Sequence, residues 1–418
     1  MDNLIEKIIN IGEKNNFEVE VYVEKSKSLS ADLDGDSLDC VDLSDSFGIG
    51  VRVLKNGKVG FAYSKYENEN IIYKAMENLI DDKYTTLSEK SLNYPNPKGI
   101  YFKELENIEE NEIIEDLISL KSILEENNIT TTGGGISCSY GLVKIVNTNE
   151  LNIEENFSSY SCSISGIKDG ETAYDYLTKN NKFPVEQIAY NTVDLLSIKN
   201  KTKQNFEGNI IISPRALGSL LAYTLKPSFN SENIQRNRSI LKDKIGEEIF
   251  GENITIIDDG TIDNGLYSSK CDDEGVPSQR TVLVKNGVLE NYLYDLKRAN
   301  IDNVNSTGNG SRGSSSLPSV STTNIIINPV DDINNYNNFV VINTLIGCHT
   351  SNPITGDFSV EISNSYIDNN GNKTLLKKGM LSGNIFEILK TALPLNNVEQ
   401  RGGLIAPPLL INGKIISE

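Results

Sequence analysis

A chain of 418 residues is too long for one ordinary hydrophobic core, so two domains are expected. Its 58 acidic residues against 39 basic ones give a formal charge of −19, which repels phosphate backbones and anionic membranes. No basic patch offsets that balance, so direct nucleic-acid binding is not expected.

Leu4, Ile5, Ile8 and Ile9 recur at helical spacing and predict an amphipathic helix over 2–15. Phe17, Val19, Val21 and Val23 then alternate with Glu18, Glu20, Tyr22 and Glu24, the period of a half-buried strand. Leu29, Ala31 and Leu33 alternate likewise. Ile49, Val51 and Val53 face Val59, Phe61 and Tyr63 across Asn56-Gly57, a two-residue hairpin signal. A helix over 67–81 should turn Ile71, Ile72, Ala75, Met76, Leu79 and Ile80 inward. Tyr94-Pro95-Asn96-Pro97 reads as a joint within this domain, and Ile113, Leu117, Leu120 and Leu124 as a further helix. Gly133-Gly134-Gly135 has no following Lys or helix, so it reads as a turn before a strand and not as a phosphate loop. Strands to about residue 168 and a helix over 184–199 complete the first domain.

The second domain opens on the buried-type strand Asn209–Ile212, followed by Ser213 at an N-cap and Pro214 at the first helical position. Ala216, Leu217, Leu220 and Leu221 form the apolar stripe of that helix. Strand signals then dominate: Ile254–Ile257, a hairpin over 281–294 around Asn286-Gly287, Asn324–Ile327, and Phe358, Val360 and Ile362. One more helix is predicted at 384–391. The expected fold class is α+β, with an antiparallel sheet covered by helices over 1–205 and a β-rich domain with few helices over 206–418.

Cys40, Cys138, Cys162, Cys271 and Cys348 are odd in number, scattered and without a CxxC pair. That argues against a disulfide framework or a zinc knuckle and fits a reducing compartment. No apolar run approaches membrane-spanning length, and the start MDNLIEKIIN lacks a basic segment and a cleavage site. A cytoplasmic protein with no membrane partner is the expectation.

Chemistry concentrates between Ile256 and Pro318. There the acidic turn Asp258-Asp259-Gly260 is followed by Cys271-Asp272-Asp273-Glu274-Gly275, Pro277, Gln279-Arg280-Thr281, the Asn-Gly hairpin, and a loop with Gly308, Asn309, Gly310 and Arg312. In order and spacing these segments resemble the TldD/PmbA family, metallopeptidase-related proteins also described as modulators of DNA gyrase, with weaker similarity over nearly the whole chain. Where that family usually has a glycine after the strand near Val143–Asn147, this chain reads NTNEL, which implies a turn built differently.

The catalytic branch of that family carries HExxxH on the helix after the first strand of the second domain, with a cysteine near the C-terminus as a further zinc ligand. Zinc needs such N and S donors to activate its water. Here the helix reads SPRALGSLLAYTL and the C-terminal segment VEQRGGLIAPPLLI lacks the cysteine. The chain has a single histidine, His349, so HExxxH is impossible. The resemblance is therefore to the TldE/PmbA branch, the non-catalytic partner of a TldD-like subunit. It implies no catalytic residue, no metal ligand and no cofactor in this chain, and zinc in the partner.

His349 sits in Gly347-Cys348-His349 ahead of Asn352-Pro353 and Gly356-Asp357-Phe358-Ser359, a segment that also resembles that branch. A His beside Cys and Asp could ligate a metal or form a dyad, but a loop His that hydrogen-bonds its neighbours or helps shape a peptide passage is the preferred reading. The acidic pairs Asp258-Asp259 and Asp272-Asp273-Glu274 could bind a hard cation, or could cap backbone N–H groups or point to water, which is preferred. Asp272, Asp273, Glu274, Gln279, Arg280, Asn309, Arg312, His349 and Asp357 are the candidates for a peptide passage or subunit interface. The leading expectation is a subunit that works with an HExxxH-bearing relative, as a heterodimer or higher heteromer, to cleave small or unfolded peptides. The alternatives are a stand-alone homodimeric peptide-binding protein, or a hydrolase using carboxylates and a hard metal.

Overall fold

The computed structural model describes residues 1–417. Its first sheet has seven antiparallel strands: β1 (Glu18–Asp34), β2 (Ser37–Lys55), β3 (Lys58–Ser64), β4 (Ile80–Asp81), β5 (Thr130–Asn147), β6 (Asn152–Lys168) and β7 (Glu171–Lys179). They lie in the order β4-β3-β2-β1-β5-β6-β7. Helices α1 (Asp2–Lys14) and α2 (Ile71–Glu77) pack on one end through Ile5, Ile8, Val21, Val51 and Ile72. Helices α3 (Glu110–Glu126) and α4 (Glu186–Leu196) cover the other through Leu117, Leu120, Tyr160 and Ile188.

Asn56-Gly57 makes the expected turn because both residues take the left-handed conformation, with φ of 50° and 70°. Asp169-Gly170 does the same at 51° and 76°, joining β6 to β7, a hairpin absent from the sequence reading. The helix predicted over 67–81 is shorter: it ends at Glu77, and Ile80 is exposed on an edge strand paired with Val59. The predicted glycine turn is instead part of β5, with a register shift between Thr131 and Gly133. A Cβ there would crowd its neighbours: on Gly134 it would lie 3.0 Å from the Ser163 carbonyl and 2.7 Å from Ile164, and on Gly135 2.4 Å from the exposed Asp32 carboxylate, which can move aside. The glycine-less NTNEL turn is organised by Asn147, whose Oδ1 accepts from the N–H groups of Asn149 and Leu151, and Glu150 takes the positive φ of 63°.

The C-terminal half holds a ten-stranded and a six-stranded sheet. Strand Phe206–Ile212 is central in the larger one, flanked antiparallel by Leu409–Ser417 and parallel by Phe339–Ile342. Helix α5 (Pro214–Thr224) follows, with Ser213 Oγ accepting from the Ala216 N–H and Pro214 in the first turn. Leu217, Leu220 and Leu221 bury into one core shared with Ile256, Leu283, Val340 and Leu404. The smaller sheet runs Val288–Leu289, Arg280–Lys285, Ile256–Asp259, Ile325–Ile327, Leu404–Ala406 and Glu399–Arg401. With strand outweighing helix, 41% to 21%, the fold is α+β. The late helix is one turn, Ile385–Ile388, capped by Asn384. Strand Lys201–Thr202 pairs with Leu375–Leu376 of the larger sheet.

Tyr94-Pro95-Asn96-Pro97 lies in the connection between β4 and α3. Its stretch is a strap along the C-terminal half: Tyr94 Oη donates to Gly275 O, Ser88 Oγ to Glu274 O, and the Lys98 N–H to Asp263.

Candidate functional site

The strands β1 and β2 explain where charge can be buried between the two halves. Val19, Val21 and Val23 face the helices, so Glu20 and Tyr22 point to the opposite face. That face was expected to be solvated, yet Glu20 is 0% and Tyr22 3% exposed, because the C-terminal half covers it. Arg52, directly opposite Glu20 in the ladder, forms a two-pronged bond to its carboxylate, both at 3.1 Å. The same guanidinium reaches Glu274 Oε1 at 3.1 Å. Arg312 donates to Glu20 at 2.6 Å, and its guanidinium carbon lies 4.5 Å from the Tyr22 ring centre.

The acidic segments are buried, and they bind backbone. Asp258 and Asp259 are not a turn; they end the strand Ile256–Asp259. Asp258 accepts from Asn309 Nδ2 at 2.9 Å and from both the N–H and the hydroxyl of Thr323. Asp272 accepts the N–H groups of Glu274, Val276 and Gly310. Asp273 accepts the Arg312 N–H and the Tyr22 hydroxyl, and Glu274 Oε2 accepts the Leu296 N–H. This is the capping role weighed for the acidic turns, performed in the interior and not at the surface.

Burial and charge pull these groups apart. Burial alone would raise the Glu20 carboxyl, but Arg312 and Arg52 outweigh it and hold it below the usual carboxylate range. Asp272 is pushed well above that range by burial and by the Glu274 charge beside it. Burial also raises Asp258, Asp273 and Glu274, the last against the pull of Arg52. The Cys271 thiol is raised by burial and by Asp272, so it is no reactive thiolate at neutral pH.

Beside this network lies a cavity of about 710 Å³, walled by β5 and β6 on one side and by the 266–269, 271–273, 308–311 and 321–323 segments on the other. Of the sequence candidates, Asp272, Asp273 and Asn309 line it, with Gly308 and Gly310. Glu155 joins them from β6, both its oxygens accepting the Lys270 N–H, and the titratable wall is acidic without Lys or Arg among the described residues. Glu274 and Arg312 belong to the adjoining network. Gln279 and Arg280 are exposed outside the cavity, where Gln279 Nε2 donates to Ser306 O and Arg280 lies 3.7 Å from Asp259.

His349 and Asp357 are elsewhere. His349 is exposed on the short turn Cys348–Thr350 and does not line the cavity. Asp357, also exposed, ties two strands by accepting from Asn384 Nδ2, and its hydrogen bonds with Thr355 and Asn384 hold its carboxyl below the usual range. Sequence reasoning missed Glu20, Tyr22, Arg52 and Glu155. Arg52 gave one signal: it is a charge inside the apolar run Ile49–Leu54.

Helix α5 carries no His, Cys, Asp or Glu, so its residues do not fit zinc. Among the described residues no group of three or more His, Cys, Asp or Glu is placed to hold a metal ion.

The family profile described as PmbA/TldA metallopeptidase C-terminal domain matches residues 206–417, and that of PmbA/TldA metallopeptidase domain 1 matches residues 19–82. An uncharacterised protein of Methanocaldococcus jannaschii is 53% identical over 418 residues, covering 99% of this chain and 100% of that protein. The chain belongs to the PmbA/TldD metallopeptidase family. A metalloprotease TldD homologue of Buchnera aphidicola is 27% identical over 371 residues, covering 80% of this chain and 77% of that one. The crystal structure of TldE from Thermococcus kodakarensis matches with a TM-score of 0.90 at 24% identity, covering 99% of both chains, a likeness of fold. Within this family the 206–417 match begins at the strand that leads into α5, the element read in sequence as the zinc-binding helix of catalytic members. No helix among the described residues is long and apolar enough to cross a membrane.

Proposed function

We propose that this PmbA/TldD-family chain is a non-catalytic subunit that combines with an HExxxH-bearing relative, the pair hydrolysing small or unfolded peptides. The observation that carries the reading is α5. The helix keeps its cap, its proline and its buried leucines, but offers no donor to zinc. An architecture retained around a helix without ligands is accounted for by a duty towards a related subunit, since relatives can meet through equivalent faces. Zinc in this reading belongs to the partner, and this chain contributes wall. The 710 Å³ cavity between the halves, with Asp272, Asp273 and Asn309 on its side, is the candidate passage. Extended peptides are suited to β-rich walls because main-chain hydrogen bonds hold them without regard to sequence.

Elemental analysis of the purified chain after mild dialysis tests the first half of the proposal. Substoichiometric zinc and no peptide cleavage are expected; about one tightly held zinc per chain would replace it with an independent metalloenzyme.

A further inference from the structure

A smaller cavity, of about 240 Å³, opens beside the first turn of α5. Its floor is made by Asp175 of β7, Arg215 of α5 and Arg401 of strand Glu399–Arg401. Arg215 Nη1 donates to Tyr174 O at 2.6 Å and to Asp175 Oδ1 at 3.3 Å. Arg401 Nη1 uses the same Asp175 oxygen, at 3.1 Å, and Tyr176 O at 2.7 Å. The other Asp175 oxygen is taken by Asn191 Nδ2 at 2.7 Å. A buried guanidinium, Arg215, and a half-buried one, Arg401, thus share one buried carboxylate. The other carboxylates, Glu399 on Arg401 Nε and Asp194, stand at the exposed rim with Lys373, where water screens them.

The floor is also short of acceptors. The Arg215 side chain is 8% exposed and its Nη2 has no hydrogen-bond partner. The guanidinium carbon lies 3.8 Å from the Tyr174 ring centre, which fixes its plane but accepts no full hydrogen bond. In the first helical turn the Ala216 N–H is taken by Ser213 Oγ and the Leu217 N–H by Ser213 O, leaving the Arg215 N–H without an intrahelical acceptor. A buried charged donor left unsatisfied is costly, and a helix N-terminus adds partial positive charge at the same place.

We propose that this pocket binds a carboxylate, held by the spare face of the Arg215 guanidinium at the N-terminus of α5, with Lys373 at the entrance. A planar guanidinium fork fits the two oxygens of a carboxylate better than a lone point charge would. The chemistry is shared by the free end of a peptide chain and by a small organic acid. It does not depend on whether the chain is a non-catalytic subunit.

The test is titration of the full chain, labelled with ¹⁵N-arginine, with sodium acetate, with tri-alanine, and with tri-alanine amide. Saturable movement of the Arg215 guanidinium resonances is expected with acetate and with the free-acid peptide, and not with the amide. Tighter binding of tri-alanine than of acetate would assign the pocket to a chain end, and the reverse to a small acid. Arg215→Lys should weaken binding roughly tenfold or more, because it keeps the charge and loses the fork. Should that variant not fold, Lys373→Gln at the rim should weaken binding several-fold, and the wild-type titration stands on its own. An amide that binds as well as the acid, or Arg215 resonances unmoved by either acid, would overturn the proposal.

Discussion

The segments 258–274 and 347–359 come from the same half of the chain, both hold carboxylates, and each holds residues read in sequence as passage or interface candidates, Asp272–Glu274 in the first and His349 and Asp357 in the second. The structure treats them oppositely. Asp258, Asp272 and Glu274 are buried and accept backbone or side-chain donors of their own half, and Glu274 also takes Arg52 from the other half. His349 and Asp357 are exposed, and Asp357 serves only its own neighbouring strands. A motif therefore states that certain residues are used together, while what covers them decides whether they clamp, bind or stay in water.

Breaking the buried side of that contrast should cost most. Arg52→Met removes the guanidinium that joins Glu20 to Glu274 and leaves Glu274 buried without an ionic partner. A loss of about 3–5 kcal/mol is expected in denaturant unfolding, as for other broken buried pairs. A loss indistinguishable from that of a surface substitution would show that the seam admits water.

Asp272→Asn puts an amide NH₂ against one of the three N–H groups the carboxylate now accepts. It should destabilise by about 1–3 kcal/mol at neutral pH. The same variant sharpens the pH behaviour. Because the Asp272 pKa is raised on folding, its contribution improves as pH falls from that raised value towards the ordinary carboxylate range near about 4. Glu20 has the opposite sign: its depressed pKa gives stability that is present above that range and lost as pH falls through its folded value. Urea unfolding followed from neutral pH down towards the ordinary carboxylate range near about 4 should then show the wild type holding or gaining stability over part of that interval, with the gain reduced in Asp272→Asn. A wild type that loses stability steadily over that interval would contradict the buried placement of Asp272.

On the exposed side the effect should be smallest. His349→Ala is expected within about 0.5 kcal/mol of wild type in unfolding, and to change peptide cleavage by an assembled complex only modestly. A loss of several orders of magnitude with normal assembly would give the imidazole a chemical role.

Local signals explain what the sequence made legible. Ser213-Pro214 placed the start of α5, and Asn56-Gly57 and Asn286-Gly287 placed two hairpins, because capping and left-handed φ are decided by adjacent residues. Gly133–Gly135 misled because they sit inside a strand, paired with Asp32 and Ile164, which are remote in the chain. The burial of Glu20 was invisible for the same reason: its partners are Arg52 and Arg312, and only the meeting of the two halves turns an outward strand face into an interior. Asp272, Asp273 and Asn309 could be picked by motif, but their cavity needed Glu155 and the β5–β6 wall, which no motif marked.

The central claim is that this chain acts through a relative that carries the zinc-binding helix. The direct measurement mixes the two proteins and follows particle size together with cleavage of an unstructured peptide. The account predicts that this chain alone is inactive, that the mixture forms a heteromer which cleaves, and that cleavage vanishes with a chelator or when the motif glutamate of the relative is replaced. A relative fully active by itself that never associates with this chain would contradict it.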